Sequence, residues 1–470
     1  MTPQAEARIR SPLMLAAAMV ALFLAALEQT ILGPAIGRIT ADLGGGALLP
    51  WVATAYLVAA TSTAPILGAL ADIIGRRKAL LISIALFTGG SALAALAPSL
   101  PVLVLARAIQ GAGAGGLTAL PFVIIADVVP MSRRATVAAW TSTIYALASV
   151  LGPLVGGLLV ERLDWSVIFW MNLPLGLLAA LAVLMTPPIG AARRARRIDA
   201  PGAALLAVAT ASTITGIDLV TAGTRGFGVA LLILGLSLFP LFVRRMARAA
   251  DPLVPIRVMT ERTILLNSLG LMCAQGTNIG LAIYLPLYWQ QRFGLSPGQA
   301  GLALLGLLCG IMLGAYVPPR LLRRRPFYRP IILGAAMVGL MASIGLGLAI
   351  AMGMPLGGQI SLAFCLGLTI GMLYPNFTLA TQNAATPATM GASIGVLAFM
   401  RAMGGTLGAS AAGIIAIGGG LGRTGSAAAS AATDWPHWLL TVPAMVLMAG
   451  CLIAALAMPN RELTGFKATP

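Results

Sequence analysis

Four ionisable side chains stand inside long apolar runs, and they are the residues with chemistry to offer: Glu28, Arg107, Asp218 and Arg401. A carboxyl group held away from water can exchange a proton when its surroundings change, because burial disfavours the charged form and a nearby cation favours it. Glu28 lies well along the first apolar run, where such a change would be felt. A guanidinium in an apolar medium is costly unless it meets a partner or a hydrated cavity, so Arg107 and Arg401 each need one or the other. Gln110 follows Arg107 by three positions and shares its helical face. Asp218 lies near one end of its run, where plain hydration accounts for it as well as a proton or substrate role does. The residues for other chemistry are missing. The single His437 stands beside Trp435 and Trp438, as in an interfacial belt, and Cys273, Cys309, Cys365 and Cys451 sit inside apolar runs without zinc-type spacing. With no Ser/His/Asp set, metal cluster or phosphate loop, no enzyme is expected and no cofactor.

The elements that carry these residues are membrane spans. Of 470 residues 59% are hydrophobic and 9% charged, against about 25% charged in a soluble domain. The net charge of +17 sits in short clusters between apolar runs, which sets orientation in a membrane and does not suggest nucleic acid. A bilayer core of about 30 Å needs roughly 20 apolar residues in a helix. Fourteen runs qualify: 13–33, 51–71, 79–97, 102–126, 135–160, 167–186, 201–221, 227–243, 264–288, 298–318, 330–351, 358–381, 390–417 and 437–458. The first is too long for a cleaved signal peptide and is expected to stay as a span. Alternate loops hold 23 of the 30 Lys and Arg residues, the opposite loops hold 5, and Arg107 and Arg401 remain inside spans. That asymmetry predicts both termini in the cytoplasm, in a bacterial inner membrane. Two basic joints, 187–200 and 244–262, bracket spans seven and eight. The expected organisation is an N-terminal six-helix bundle over 1–190, an inserted pair with its loops over 191–262, and a C-terminal six-helix bundle over 263–470.

Several motifs are specific. GALADIIGRRKAL (68–80) joins spans two and three, LVLARAIQGAGAGG (103–116) lies in span four, and LGPLVGG (151–157) lies in span five. Glycines at such positions permit close helix approach and tight turns. In this order the three stretches resemble the loop, helix-four and antiporter signatures of the major facilitator superfamily. LEQTILGPAI (27–36), LDWSVIFWMNLPLG (163–176) and GVLAFMRAMGGTLGAS (395–410) resemble its fourteen-helix drug:proton antiporter branch. The likeness covers nearly the whole chain, with Ile73 where the loop signature has a basic residue, Ala148 where the antiporter helix has its first glycine, and Gly33 where the first helix has asparagine.

The resemblance implies an all-α membrane protein of the major facilitator fold, two six-helix bundles with two inserted helices, working by alternating access around a midplane site. It implies that Glu28 and Arg107 couple protons, and that Gly68, Asp72, Gly75, Arg76 and Asp127 latch the halves. Gly152, Pro153, Gly156 and Gly157 would form the antiporter stripe. By the same analogy the cavity walls would offer Thr30, Gln110, Gln275, Asn278, Tyr284, Tyr374, Asn376, Gln382 and Arg401 to substrate. Two embedded acids against two embedded arginines argue against dications and lean towards neutral, monocationic or anionic amphipaths. The expected partners are a small amphipathic substrate, protons and membrane lipid, with the chain a monomer. Export of a physiological lipid or metabolite remains open at this stage, as does a non-transporting receptor or scaffold on a transporter fold.

Overall fold

The fold was obtained as a computed structural model that describes residues 9, 11–32, 35–44, 51–187, 199–221, 225–324, 326–386, 388–418 and 437–463. Each of the fourteen apolar runs forms a helix, the geometry that satisfies backbone polar groups without water. In chain order these are α1 (Pro12–Ile31), α2 (Trp51–Ile74), α3 (Arg76–Ala95), α4 (Leu100–Val128), α5 (Met131–Arg162), α6 (Asn172–Leu184), α7 (Ala200–Thr221), α8 (Arg225–Arg248), α9 (Arg262–Phe293), α10 (Pro297–Ala315), α11 (Tyr328–Ala351), α12 (Leu356–Ala384), α13 (Met390–Gly418) and α14 (Val442–Ala457). A short helical turn, Val167–Trp170, leads into α6, and a 3-10 turn, His437–Thr441, leads into α14.

Among the described residues twelve of the apolar segments are long and apolar enough to cross a membrane. α9, with 32 residues, is not one of them. Asn267, Ser268, Gln275, Thr277 and Asn278 lie along it and lower its apolarity. It also borders the cavity between the two sets, where polar side chains have company.

The packing repeats. Within α1–α6, α1 packs on α4, α5 and α6, α4 packs on α2 and α3, and α3 packs on α6. Within α9–α14 the same pattern recurs: α9 packs on α12, α13 and α14, α12 packs on α10 and α11, and α11 packs on α14. The two sets meet symmetrically, α2 and α4 against α13, and α10 and α12 against α5. The pair α7 and α8 packs on itself, and α7 lies along the seam of α2 and α13. Ala69 of α2, Leu206 of α7, Phe242 of α8 and Phe399 of α13 share one apolar cluster there. Arg245 of α8 holds Asp199, just before α7, at 2.5 Å.

Candidate functional site

Glycines bring the polar residues of the first six helices into reach. A side chain at Gly90 of α3 would strike the backbone of Gln110 on α4, and one at Gly111 would strike the backbone of Tyr56 on α2. At these close crossings Arg107 of α4 pairs directly with Glu28 of α1. Both residues are 1% exposed. Arg107 Nη1 also donates to Gln110 Oε1 at 2.6 Å, and Nε donates to the Val52 carbonyl of α2 at 2.9 Å. The second oxygen of Glu28 accepts from Asn172 Nδ2 of α6 at 2.7 Å. Ser91 Oγ of α3 closes the ring, accepting from Gln110 at 2.7 Å and Asn172 at 2.9 Å. The guanidinium lies 4.3 Å from the Tyr56 ring centroid and 5.6 Å from that of Phe169. Desolvating two charges is expensive, and only a set with its hydrogen bonds completed offsets that cost.

Every partner in this ring belongs to the first six helices, so the Glu28–Arg107 pair is sealed within one set. The pair therefore does not open onto the space between the two sets. Gln110 is part of the ring and does not line the cleft. Thr30 does not line it either: its hydroxyl is 3.1 Å from the carbonyls of Leu27 and Ala148, and its side chain packs against Gly152. Gly156 backs onto Ile31, so these two glycines seat α5 on α1, whereas Gly157 meets nothing within 4 Å. The side chains of Pro153 and Asp218 lie outside the described residues, as does the basic joint over 188–198.

A second cluster sits at the seam, at the end bearing the basic loops. Arg76 bridges Asp72 at 2.5 Å and Asp127 at 2.9 Å. Asp72 in turn accepts the backbone N–H groups of Gly391 at 3.2 Å and Ala392 at 3.1 Å, at the start of α13. A carboxylate is well placed at a helix N-terminus, where unpaired N–H groups and the helix dipole favour negative charge. Gly68 and Gly391 touch through their backbones, so α2 and α13 cross there without side chains between them. Gly75, at φ 92°, makes the turn that delivers Arg76. Gln382 of α12 adds a clasp, donating to the Phe122 carbonyl of α4 at 2.9 Å.

A third cluster lines a cavity between the two sets. Its walls include Phe122, Tyr145, Leu271, Tyr374 and Arg401. Arg401 lies 4.1 Å from the ring centroid of Tyr145 and 4.8 Å from that of Tyr374. Its Nε donates to Gln275 Oε1 of α9 at 3.0 Å. The buried Tyr374 hydroxyl makes no close hydrogen bond and has the Asn278 side chain as its polar neighbour. Asn376 donates one turn back to the Met372 carbonyl at 2.8 Å and leaves its own oxygen unpartnered. Tyr284 packs its hydroxyl against Gly413.

Sequence reasoning missed Tyr56, Ser91 and Tyr145. Each is a polar or amphipathic residue inside an apolar run, which is a signal, but nothing in the spacing says which helix it faces. The backbone donors of Gly391 and Ala392 carry no side-chain signal.

Comparison with known proteins gives a consistent picture. The Major Facilitator Superfamily model matches residues 18–409. The multidrug transporter protein MdtP of Bacillus subtilis strain 168 is 28% identical over 419 residues, 86% of this chain and 75% of that protein. Multidrug resistance protein 3 of the same organism is 29% identical over 305 residues, 64% of this chain and 59% of that protein. The solved structure of the proton:xylose symporter XylE matches with a TM-score of 0.68 at 13% identity, covering 97% of this chain and 98% of that one, a likeness of fold.

Proposed function

Because this chain belongs to the Major Facilitator Superfamily, a family of transporters and not of enzymes, we propose that it exports small amphipathic molecules in exchange for protons, with Glu28 carrying the proton and Arg107 as its electrostatic partner. In this reading it is a fourteen-span antiporter of a bacterial inner membrane with both termini in the cytoplasm. The names of the two Bacillus relatives support the substrate class.

The observation that carries the reading is the buried Glu28–Arg107 pair and its connection to α2. A buried ion pair adds little net stability, because desolvation offsets most of the attraction, so a switching role explains it better. Protonation of Glu28 removes the negative charge that holds the guanidinium. Arg107 then redistributes among its remaining contacts, and two of these, the Val52 carbonyl and the Tyr56 ring, belong to α2. The same helix carries Gly68 and Asp72 at the seam. Val52 and Asp72 are about 30 Å apart along the helix at 1.5 Å per residue. A change at the charge pair thereby reaches the clasp between the two sets, which rock to alternate access. Substrate and proton favour opposite states, and exchange follows.

The test is flux into liposomes under an imposed pH gradient. Glu28→Gln keeps the fold and downhill flux, but its gradient-driven accumulation falls to the level of empty liposomes. Full gradient-driven accumulation by that variant overturns the assignment.

A further inference from the structure

Arg107 and Arg401 are both embedded arginines, but only Arg107 is neutralised. Among the described residues no carboxylate lies within ion-pair distance of Arg401, and the one hydrogen bond its guanidinium donates goes to Gln275. An arginine at membrane depth needs a partner or a hydrated cavity, and Arg401 lines a small cavity together with its neighbours. Tyr145 and Tyr374 flank the planar cation. Guanidinium donors lie in the plane of the group, so stacking on rings leaves the N–H edge available for a planar or forked anion. A second observation points the same way: the Tyr374 hydroxyl, on a residue 6% exposed, makes no close hydrogen bond and has the Asn278 side chain as its polar neighbour. Phe122 and Leu271 supply apolar wall beside it. The site draws on both sets, Tyr145 from α5 and Gln275, Tyr374 and Arg401 from α9, α12 and α13, so its geometry changes when the sets move.

We propose that Arg401, oriented by Gln275 and flanked by Tyr145 and Tyr374, is the anion-binding subsite for the transported molecule, and that the substrates include amphipathic anions bearing a sulfonate or carboxylate. The proposal rests on the transporter reading for the word substrate, but the binding preference stands independently of proton coupling.

Three permanently charged or neutral probes with one aromatic body test it: 1-pyrenesulfonate, 1-pyrenesulfonamide and (1-pyrenylmethyl)trimethylammonium. Binding to the full chain in nanodiscs is measured by equilibrium dialysis, with empty nanodiscs subtracted. The sulfonate binds about tenfold or more tightly than the ammonium, the scale of one charge-assisted pair. Arg401→Gln removes that preference while changing sulfonamide affinity about twofold or less, and Arg401→Lys keeps part of it. Tyr374→Phe weakens the sulfonate alone, by a few-fold, as expected for one lost neutral hydrogen bond. Equal binding of anion and cation, a preference unchanged in Arg401→Gln, or no binding of any probe overturns the proposal. Glu28→Gln separates the two readings. If it loses gradient-driven flux while the wild-type chain shows no anion preference, the substrate class is wrong and the exporter stands. If it keeps that flux while the preference depends on Arg401, the exporter mechanism fails and the subsite stands.

Discussion

The two six-helix sets share one packing pattern but treat their buried polar groups in opposite ways. In α1–α6, Glu28, Arg107, Gln110, Ser91 and Asn172 close on one another. Among the described residues of α9–α14, Thr263, Asn267, Ser268, Thr381 and Ser393 each present a buried polar atom with no protein partner. A buried polar atom left dry costs about 1–3 kcal/mol. The closed set is built to hold a charge in a defined state, and the open set is built to meet water or a ligand. On the proposed function, the first set does the switching and the second meets what is carried.

The largest expected break in that contrast comes from the arginines. Arg107→Leu strands the Glu28 carboxylate in an apolar interior and costs about 3–5 kcal/mol, read as a fall in the unfolding midpoint in detergent. The double variant Glu28→Leu with Arg107→Leu recovers most of that stability and none of the gradient-driven flux. Arg401→Leu strands no charge and costs under about 1 kcal/mol. Equal destabilisation by the two single variants would erase the distinction between the halves.

Next in size is the clasp that joins them. Asp72→Asn weakens charge-assisted bonds to Arg76 and to the start of α13, a loss of about 1.5–3 kcal/mol to the clasped state. Gly68→Leu acts on the same seam by size, since even a Cβ there meets the Gly391 carbonyl. Spin labels at Lys78 and Arg320, on opposite sets and both exposed, report the result in a cysteine-free background. Both variants shift the distance distribution towards the separated state. An unchanged distribution in Gly68→Leu removes the seam from the mechanism.

Much of this was legible in the residues, and the remainder has a physical reason. Helices were readable because lipid forces each apolar run to satisfy its own backbone. Arg107 and Glu28 were readable as partners because each needed an opposite charge and few existed. Asp72, Arg76 and Asp127 come together at a turn made by Gly75, which the loop pattern pointed to. What could not be read was the direction each polar residue faces. Gln110 and Thr30 were assigned to substrate and point into helix contacts, because a helix face has a spacing but no label for its neighbour. The place of Glu28 inside one set was hidden for the same reason: Gln29 and Thr30 put polar groups on the neighbouring faces of α1, and only packing decides which face meets the other set. Span number is hardest to read at α9, where Asn267, Gln275 and Asn278 lower the apolarity that marks a span.

The finest expected difference separates two asparagines. Asn172 is 1% exposed and Asn267 is not exposed at all. Asn172 donates to Glu28 and Ser91, so Asn172→Leu leaves two buried acceptors short and costs about 1–3 kcal/mol. Neither amide atom of Asn267 has a protein partner. Leucine has the heavy-atom count and branching of asparagine and removes two polar atoms that the protein itself does not satisfy. Asn267→Leu therefore changes the unfolding midpoint by the equivalent of less than about 1 kcal/mol, in the stabilising direction. If Asn267→Leu costs as much as Asn172→Leu, ordered water completes the second set as firmly as side chains complete the first. The division of labour between the two sets would then rest on Arg401 and its tyrosines alone.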